Sequence, residues 1–299
     1  MSGARAPILV AALVMVIWGA SPALTKIAGE DFTTLQVAVL RTVIAGVVAA
    51  PILLLTRRGL PDGRRRGTLL LLSAVSGFVA FPLLFTVGQQ HTSAMHGNMI
   101  LAALPICTGA YAAILDRRRP TRAWMLGCGL ALAGEVALVA IRTHGTGGGT
   151  PATLGGDALV AASALVVAVG YVAGARLGQL GYHALAATYW GVAIGAVLML
   201  PLLAGTVAVD GLPDAGSHAW GAVLWMAVLT SIVGYVGWYW ALARGGIQRI
   251  ATIQFLQSIS GLILAAWLLG EEFTLPLVIA SIAILAGVTI TQRRPAATR

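Results

Sequence analysis

From Pro7 to Gln292 the chain is a succession of apolar runs broken by short stretches of Arg, Gly and Pro. Each run is about 20 residues long, which is what one helical crossing of a hydrocarbon core about 30 Å thick requires. Reading between the breaks predicts spans at 7–28, 33–55, 68–88, 92–115, 121–141, 157–178, 183–205, 219–243, 247–269 and 274–292. The runs are apolar without alternation, so a helix, which pairs every backbone N–H and C=O within its own segment, suits them and a β-barrel does not. Only 10% of residues are charged against 58% hydrophobic, where soluble domains carry about a quarter charged. The expected fold class is therefore all-α integral membrane, with ten transmembrane helices and a lipid bilayer as solvent.

The net charge of +9 invites a nucleic-acid reading, but its distribution is a topology signal. With the amino end in the cytoplasm, sixteen of nineteen basic residues fall inside: Arg5, Arg57, Arg58, Arg64 to Arg66, Arg117 to Arg119, Arg122, Arg176, Arg244, Arg249, Arg293, Arg294 and Arg299. Lys26 and Arg142 fall outside and Arg41 lies within a span, while seven of ten acidic residues sit on the outer side. The expectation is a multi-pass protein of the bacterial inner (plasma) membrane with both termini cytoplasmic, and no nucleic-acid partner. The first run is too long for a secretory signal and lacks a small-x-small cleavage site. Cys107 and Cys128 lie inside spans without disulfide or metal spacing, which makes them packing residues.

The Gly/Thr-rich break after Arg142 falls near the midpoint of the chain, with five spans on each side. An offset of 153 residues aligns the fourth and fifth spans with the ninth and tenth: Ala112 meets Ala265, Leu115 meets Leu268, Thr121 meets Thr274, and Leu132, Ala133 and Gly134 meet Leu285, Ala286 and Gly287. The boundaries expected are a first repeat at 1–145, an outer linker at 146–156 and a second repeat at 157–299. An odd number of spans per repeat inserts the second half upside down, and inverted repeats are a transporter device because the two halves can exchange conformations.

Four motifs carry a family likeness: Trp18-Gly19-Ala20-Ser21-Pro22, Leu40-Arg41, the run from Thr92-Ser93-Ala94 to Leu104-Pro105, and Leu269-Gly270-Glu271-Glu272. With ten spans in two halves, the chain resembles the EamA branch of the drug/metabolite transporter (DMT) superfamily. The resemblance implies two inverted five-helix repeats around a central cavity, and export of amino acids, other metabolites or drugs. Three positions depart from it. Leu115-Asp116-Arg117 replaces the Leu-Gly-Glu of the first half; Ser258 stands where the repeat has Pro105; and Glu135 stands where the second half has Val288 and the family is apolar.

A transporter site is expected near the midplane, where helix breaks free backbone groups. Gly19, Pro22, Pro82, Pro105 and Gly234 are the candidate break or gating positions, although Gly and Pro also serve plain helix packing. Trp18, Arg41, Gln89, Asn98, Tyr171, Trp225, Gln254 and Gln257 are the candidate substrate-binding residues. Arg41 is the sharpest, because a cation inside a span costs about 2.5 to 3.5 kcal/mol on insertion scales and must face protein or water. Glu135 lies at a similar depth, which permits an Arg41–Glu135 pair, and it is the candidate for proton coupling. Gln254 and Gln257, three apart, share a helix face. Gln90, His91 and His96 join Gln89 and Asn98 at the outer ends of the third and fourth spans; His91 and His96 read as interfacial residues, with no metal site.

No Ser-His-Asp set, paired acidic motif or H-E-x-x-H helix points to an intramembrane enzyme, and no cofactor is implied. A scaffold or sensor would bring a soluble domain, and a channel gains nothing from inverted broken repeats. No phosphate-binding G-x-x-x-x-G-K-[ST] loop occurs, so transport energy must come from gradients or a partner. The resulting expectation is a secondary active transporter of a small-molecule substrate, working by alternating access in the efflux direction with proton coupling; monomer and homodimer are both open.

Overall fold

The computed structural model describes residues 5–92, 100–143, 153–211, 214–269 and 275–292. All regular structure among them is helical: α1 (Ala6–Gly19), α2 (Ser21–Ala28), α3 (Thr34–Thr56), α4 (Arg64–Val75), α5 (Phe81–Gln90), α6 (Leu104–Leu115), α7 (Arg122–Thr143), α8 (Leu154–Gln179), α9 (Ala184–Asp210), α10 (Ser217–Trp225), α11 (Tyr235–Gly245), α12 (Ile247–Ala251), α13 (Leu256–Leu269) and α14 (Leu275–Gln292). Two π-helical segments, Ser76–Ala80 and Met226–Gly234, join α4 to α5 and α10 to α11, and a 3₁₀ segment, Thr252–Phe255, joins α12 to α13. Eight helical runs among the described residues are long and apolar enough to cross a bilayer. The expected fourth span is represented by the shorter apolar α6, and the ninth by the continuous run from α12 to α13.

Local chemistry sets the starts and breaks. Thr33 and Gln36 form a reciprocal capping box at the start of α3, with Thr33 N–H donating to the Gln36 side chain at 2.9 Å and Gln36 N–H to the Thr33 hydroxyl at 3.2 Å. The first span breaks between Gly19 and Ser21, with Pro22 in the opening turn of α2, where a missing N–H costs least. In the third span Pro82 cannot donate to the carbonyl of Phe78, four residues earlier. That carbonyl instead accepts from the Thr42 hydroxyl of α3 at 3.3 Å. At Pro82 a neighbouring helix therefore supplies the donor.

The inverted relation of the halves shows in the seam between α7 and α14, where small residues bring backbones together. A Cβ on Gly127 would lie 2.6 Å from the Gly287 carbonyl oxygen, and one on Gly134 would lie 2.8 Å from that of Ala280. Adding 153 turns Gly127 into Ala280 and Gly134 into Gly287, so the two contacts interchange. The pair α3 and α9 obeys the same operation, since Gly195 is Thr42 advanced by 153 and its Cβ would lie 3.3 Å from Thr42 Cγ2.

Outward-facing Leu54, Leu55, Leu126 and Ile282 are well exposed, as lipid-contacting side chains should be. One continuous core runs between the repeats, with Trp238, Tyr239, Phe255, Met15, Leu242 and Ile250 fully buried. On the face that carries the chain ends, turns are tied by side chains: the Trp190 indole donates to Arg58 O (3.0 Å), Tyr182 to Gly59 O (2.9 Å), Arg66 to Leu180 O (2.7 Å) and Trp124 to Gln248 O (3.1 Å). There Asp116 pairs with Arg176 of α8. At the far face, Asp31 accepts from Gly216 N–H at 2.8 Å.

Candidate functional site: a central amphipathic cavity

A cavity of about 470 Å³ lies between the repeats. The broken first span contributes Trp18, Gly19 and Ser21; α3 contributes Arg41; α5 Phe81; the approach to α6 Leu101, Ala102, Leu104 and Pro105; and α7 Glu135, Leu138 and Val139. From the second repeat come Tyr171, Thr230 and Tyr235, and from the ninth span Gln254, Phe255, Gln257, Ser258 and Gly261. The last set recurs at intervals of three and four, which keeps it on one helix face.

The two repeats line the cavity with equivalent positions of unlike chemistry. Leu101, Leu104 and Pro105, advanced by 153, become Gln254, Gln257 and Ser258, and all six face the same space. One wall is thus apolar and the wall related to it by the repeat is polar. Glu135 adds to the polar wall: the Ser258 hydroxyl donates to its Oε1, while its Oε2 is buried with no hydrogen-bond partner among the described residues. Gln254 Oε1 is in the same condition. Both side chains are only 7% exposed.

Arg41 faces the cavity without an ion pair or hydrogen bond to any described residue; the phenols of Tyr235 and Tyr171 lie close enough to feel its charge. The similar depths of Arg41 and Glu135 do not produce the salt bridge that the sequence permits. Both side chains line the cavity, and no ion pair joins them.

Three of the lining residues, Trp18, Tyr171 and Tyr235, belong to one packed aromatic cluster. Trp18 stacks on Tyr171 (ring centroids 5.8 Å apart, 17° between planes) and is flanked by Tyr235 and Trp238 at 5.5 Å. Two of them are anchored to the π-helical segments: the Trp18 indole donates to Thr230 O at 3.1 Å and the Tyr235 hydroxyl to Gly77 O at 3.3 Å, while Trp238 Nε1 is buried with no hydrogen-bond partner among the described residues. Gly77 and Thr230 are equivalent under the 153-residue offset. The Tyr239 hydroxyl shares a 2.8 Å hydrogen bond with Ser73. A π-helical turn releases backbone carbonyls from the regular ladder, and here both repeats use the release to hold the aromatic cluster.

The sequence-derived candidates divide accordingly. Trp18, Gly19, Arg41, Pro105, Glu135, Tyr171, Gln254 and Gln257 line the cavity. Gly234 stands behind it, where its missing side chain admits the Trp18 indole. Pro82 is buried outside the lining. Trp225, 44% exposed, is not among the lining residues and presents its ring outward. Asn98 and His96, and the side chains of Gln89 and Pro22, lie outside the described residues. His91 is exposed at the far face, where its carbonyl accepts from Thr153 N–H at 3.2 Å, and no group of three His, Cys, Asp or Glu side chains among the described residues could hold a metal. Sequence reading missed Tyr235, Thr230 and the apolar wall of Leu101, Leu104 and Leu138. The repeat offset contains the signal for Leu101 and Leu104, since it maps them onto Gln254 and Gln257.

Comparison with known proteins agrees with this architecture. The model of the EamA-like transporter family matches the chain twice, at residues 5–140 and 154–292. An uncharacterized transporter of Bacillus subtilis (strain 168), YdeK, is 31% identical over 281 residues that cover 94% of each chain. A second from the same organism, YetK, is 24% identical and covers 94% of this chain and 84% of its own. A solved crystal structure superposes with a TM-score of 0.77 over 95% of both chains at 18% identity, a likeness of fold. Two matches to one family model, one per repeat, and a relative aligned over nearly the whole length make this chain a multi-span membrane protein of the EamA-like transporter family.

Proposed function

We propose that the protein is a secondary carrier that moves a small organic metabolite through its central cavity by alternating access, in the efflux direction, with Glu135 exchanging a proton during the cycle. The observation that carries the reading is the cavity between two inverted repeats, lined in part by an aromatic cluster anchored to both π-helical segments. With the amino terminus cytoplasmic, as the basic residues indicate, exchange of the repeat conformations opens the cavity to the cytoplasmic and outer sides in turn. The site suits a ligand of mixed character, since it joins an apolar wall to Arg41, Glu135 and the glutamines. Localisation in the bacterial inner membrane follows from the same topology. The named relatives are transporters rather than enzymes, which supports the non-enzymatic reading.

The test is accumulation in proteoliposomes of pooled labelled amino acids, nucleobases and organic cations, with and without a pH gradient. Gradient-driven, saturable uptake that loses its pH dependence in Glu135→Gln is the expected result. Flux no faster than in empty liposomes for every compound counts against the carrier reading, and undiminished proton dependence in Glu135→Gln ends the coupling role.

A further inference from the structure

Two of the positions at which this chain breaks its own internal symmetry touch each other. Ser258 replaces the proline found at Pro105, Glu135 replaces the valine found at Val288, and the Ser258 hydroxyl donates to Glu135 Oε1. That bond occupies one carboxylate oxygen and leaves the other, Oε2, buried with no hydrogen-bond partner among the described residues. One helical turn before Ser258, on the same face, Gln254 holds a second buried acceptor, Oε1, with no hydrogen-bond partner among the described residues. Arg41 lines the cavity but does not neutralise Glu135.

A buried acceptor without a donor is costly, and a buried carboxylate oxygen more so, so two of them facing one cavity describe what the occupant must bring. It must supply at least two N–H donors and a positive charge. From this we propose that Glu135 Oε2 and Gln254 Oε1, with Ser258 as the positioning residue, form a head-group subsite that selects a primary ammonium over a quaternary one. The proposal rests on the carrier reading for its role in transport, but binding at the subsite does not depend on it. A quaternary ammonium matches the charge and cannot donate, so it leaves both oxygens unpaired; sites built to hydrogen-bond a group reject the analogue that lacks it. Trp18 and Tyr171 are stacked on each other, and Tyr235 packs against both. The apolar wall of Leu101, Leu104 and Leu138 accommodates the remainder of the ligand, and Arg41 takes an anionic group.

The probes are phenylalanine, its N,N,N-trimethyl betaine and 3-phenylpropionate, titrated calorimetrically into the purified full-length protein in nanodiscs. Phenylalanine is expected to bind at least about tenfold more tightly than either other compound, the size expected for losing hydrogen bonds to a charged acceptor. Gln254→Leu and Ser258→Ala, each checked for an unchanged melting transition, are expected to shrink the amine-to-betaine ratio more than they weaken phenylpropionate. The wild-type ligand series decides the matter even where a variant does not fold. Equal binding of amine and betaine, or no saturable heat from the amine, overturns the subsite. Flux of phenylalanine in proteoliposomes separates the two readings: selective binding without flux removes the carrier and keeps the subsite, whereas flux of amine and betaine alike keeps the carrier and removes the subsite.

Discussion

Trp18 and Tyr171 stack with ring centroids 5.8 Å apart, and they are the same position of the two repeats, separated by the 153 residues that relate every other equivalent pair. The pseudo-two-fold axis therefore passes through an aromatic contact that lines the cavity. A contact on the axis is a natural place for a seal, because neither repeat can change conformation without moving one of its two rings.

Gly234 sets the position of that contact. A Cβ there would stand 2.3 Å from Trp18 Nε1, so Gly234→Ala must displace the indole and break its bond to Thr230 O. The substitution is expected to destabilise by about 1 to 3 kcal/mol, as overpacking does, and to lower flux by about tenfold, the equivalent of about 1.4 kcal/mol on the barrier. Trp18→Phe in the same background should recover stability, which differential scanning calorimetry reads directly.

Arg41 is a charge on the cavity with no ion pair or hydrogen bond to any described residue, an arrangement that favours function over stability. Arg41→Met is expected to keep or raise the melting temperature while weakening binding of 3-phenylpropionate and other carboxylates by about tenfold or more. Arg41→Lys should retain part of that affinity, since it keeps the charge and loses the planar fork. A large drop in melting temperature for Arg41→Met would instead assign the residue to the scaffold.

The seam of α7 and α14 tolerates no added carbon at its centre. A Cβ on Gly287 would lie 2.5 Å from the Ala131 backbone nitrogen and 2.6 Å from Gly127 O, so Gly287→Ala forces the helices apart at a cost of about 1 to 3 kcal/mol. Gly129, two residues along α7 from Gly127, has nothing within 4 Å of its would-be Cβ. Gly129→Ala is the control and should be neutral to stabilising by melting temperature.

The replacement of the first-half Leu-Gly-Glu by Leu115-Asp116-Arg117 introduces an exposed ion pair, with Asp116 and Arg176 exposed by 44% and 27%. Such pairs are worth about 0 to 1 kcal/mol. Asp116→Asn should change the melting temperature only slightly, and any change should vanish at high salt.

Much of the architecture is legible in the residues because the bilayer admits few solutions. Long apolar runs imply helices, and an odd number of spans per repeat implies inversion. The repeat offset even carries the seam: Gly127, Gly134, Ala280 and Gly287 stand at equivalent positions whose contacts interchange. The site was legible only in part. Arg41, Glu135, Gln254 and Gln257 stand out because polar groups are costly in lipid, whereas Leu101 and Leu104 look like any lipid-facing leucine.

The sequence by itself determined that this is a helical membrane protein built from two inverted halves, since length, hydropathy and charge act locally and in lipid leave no competing fold. Only the tertiary structure decided which polar groups meet. It kept Arg41 and Glu135 on the cavity without pairing them, joined Ser258 to Glu135, turned Trp225 outward and sent the Phe78 carbonyl to Thr42. Those outcomes depend on helix rotation and on the π-helical turns, which shift the facing of every residue beyond them and leave no mark in composition or periodicity.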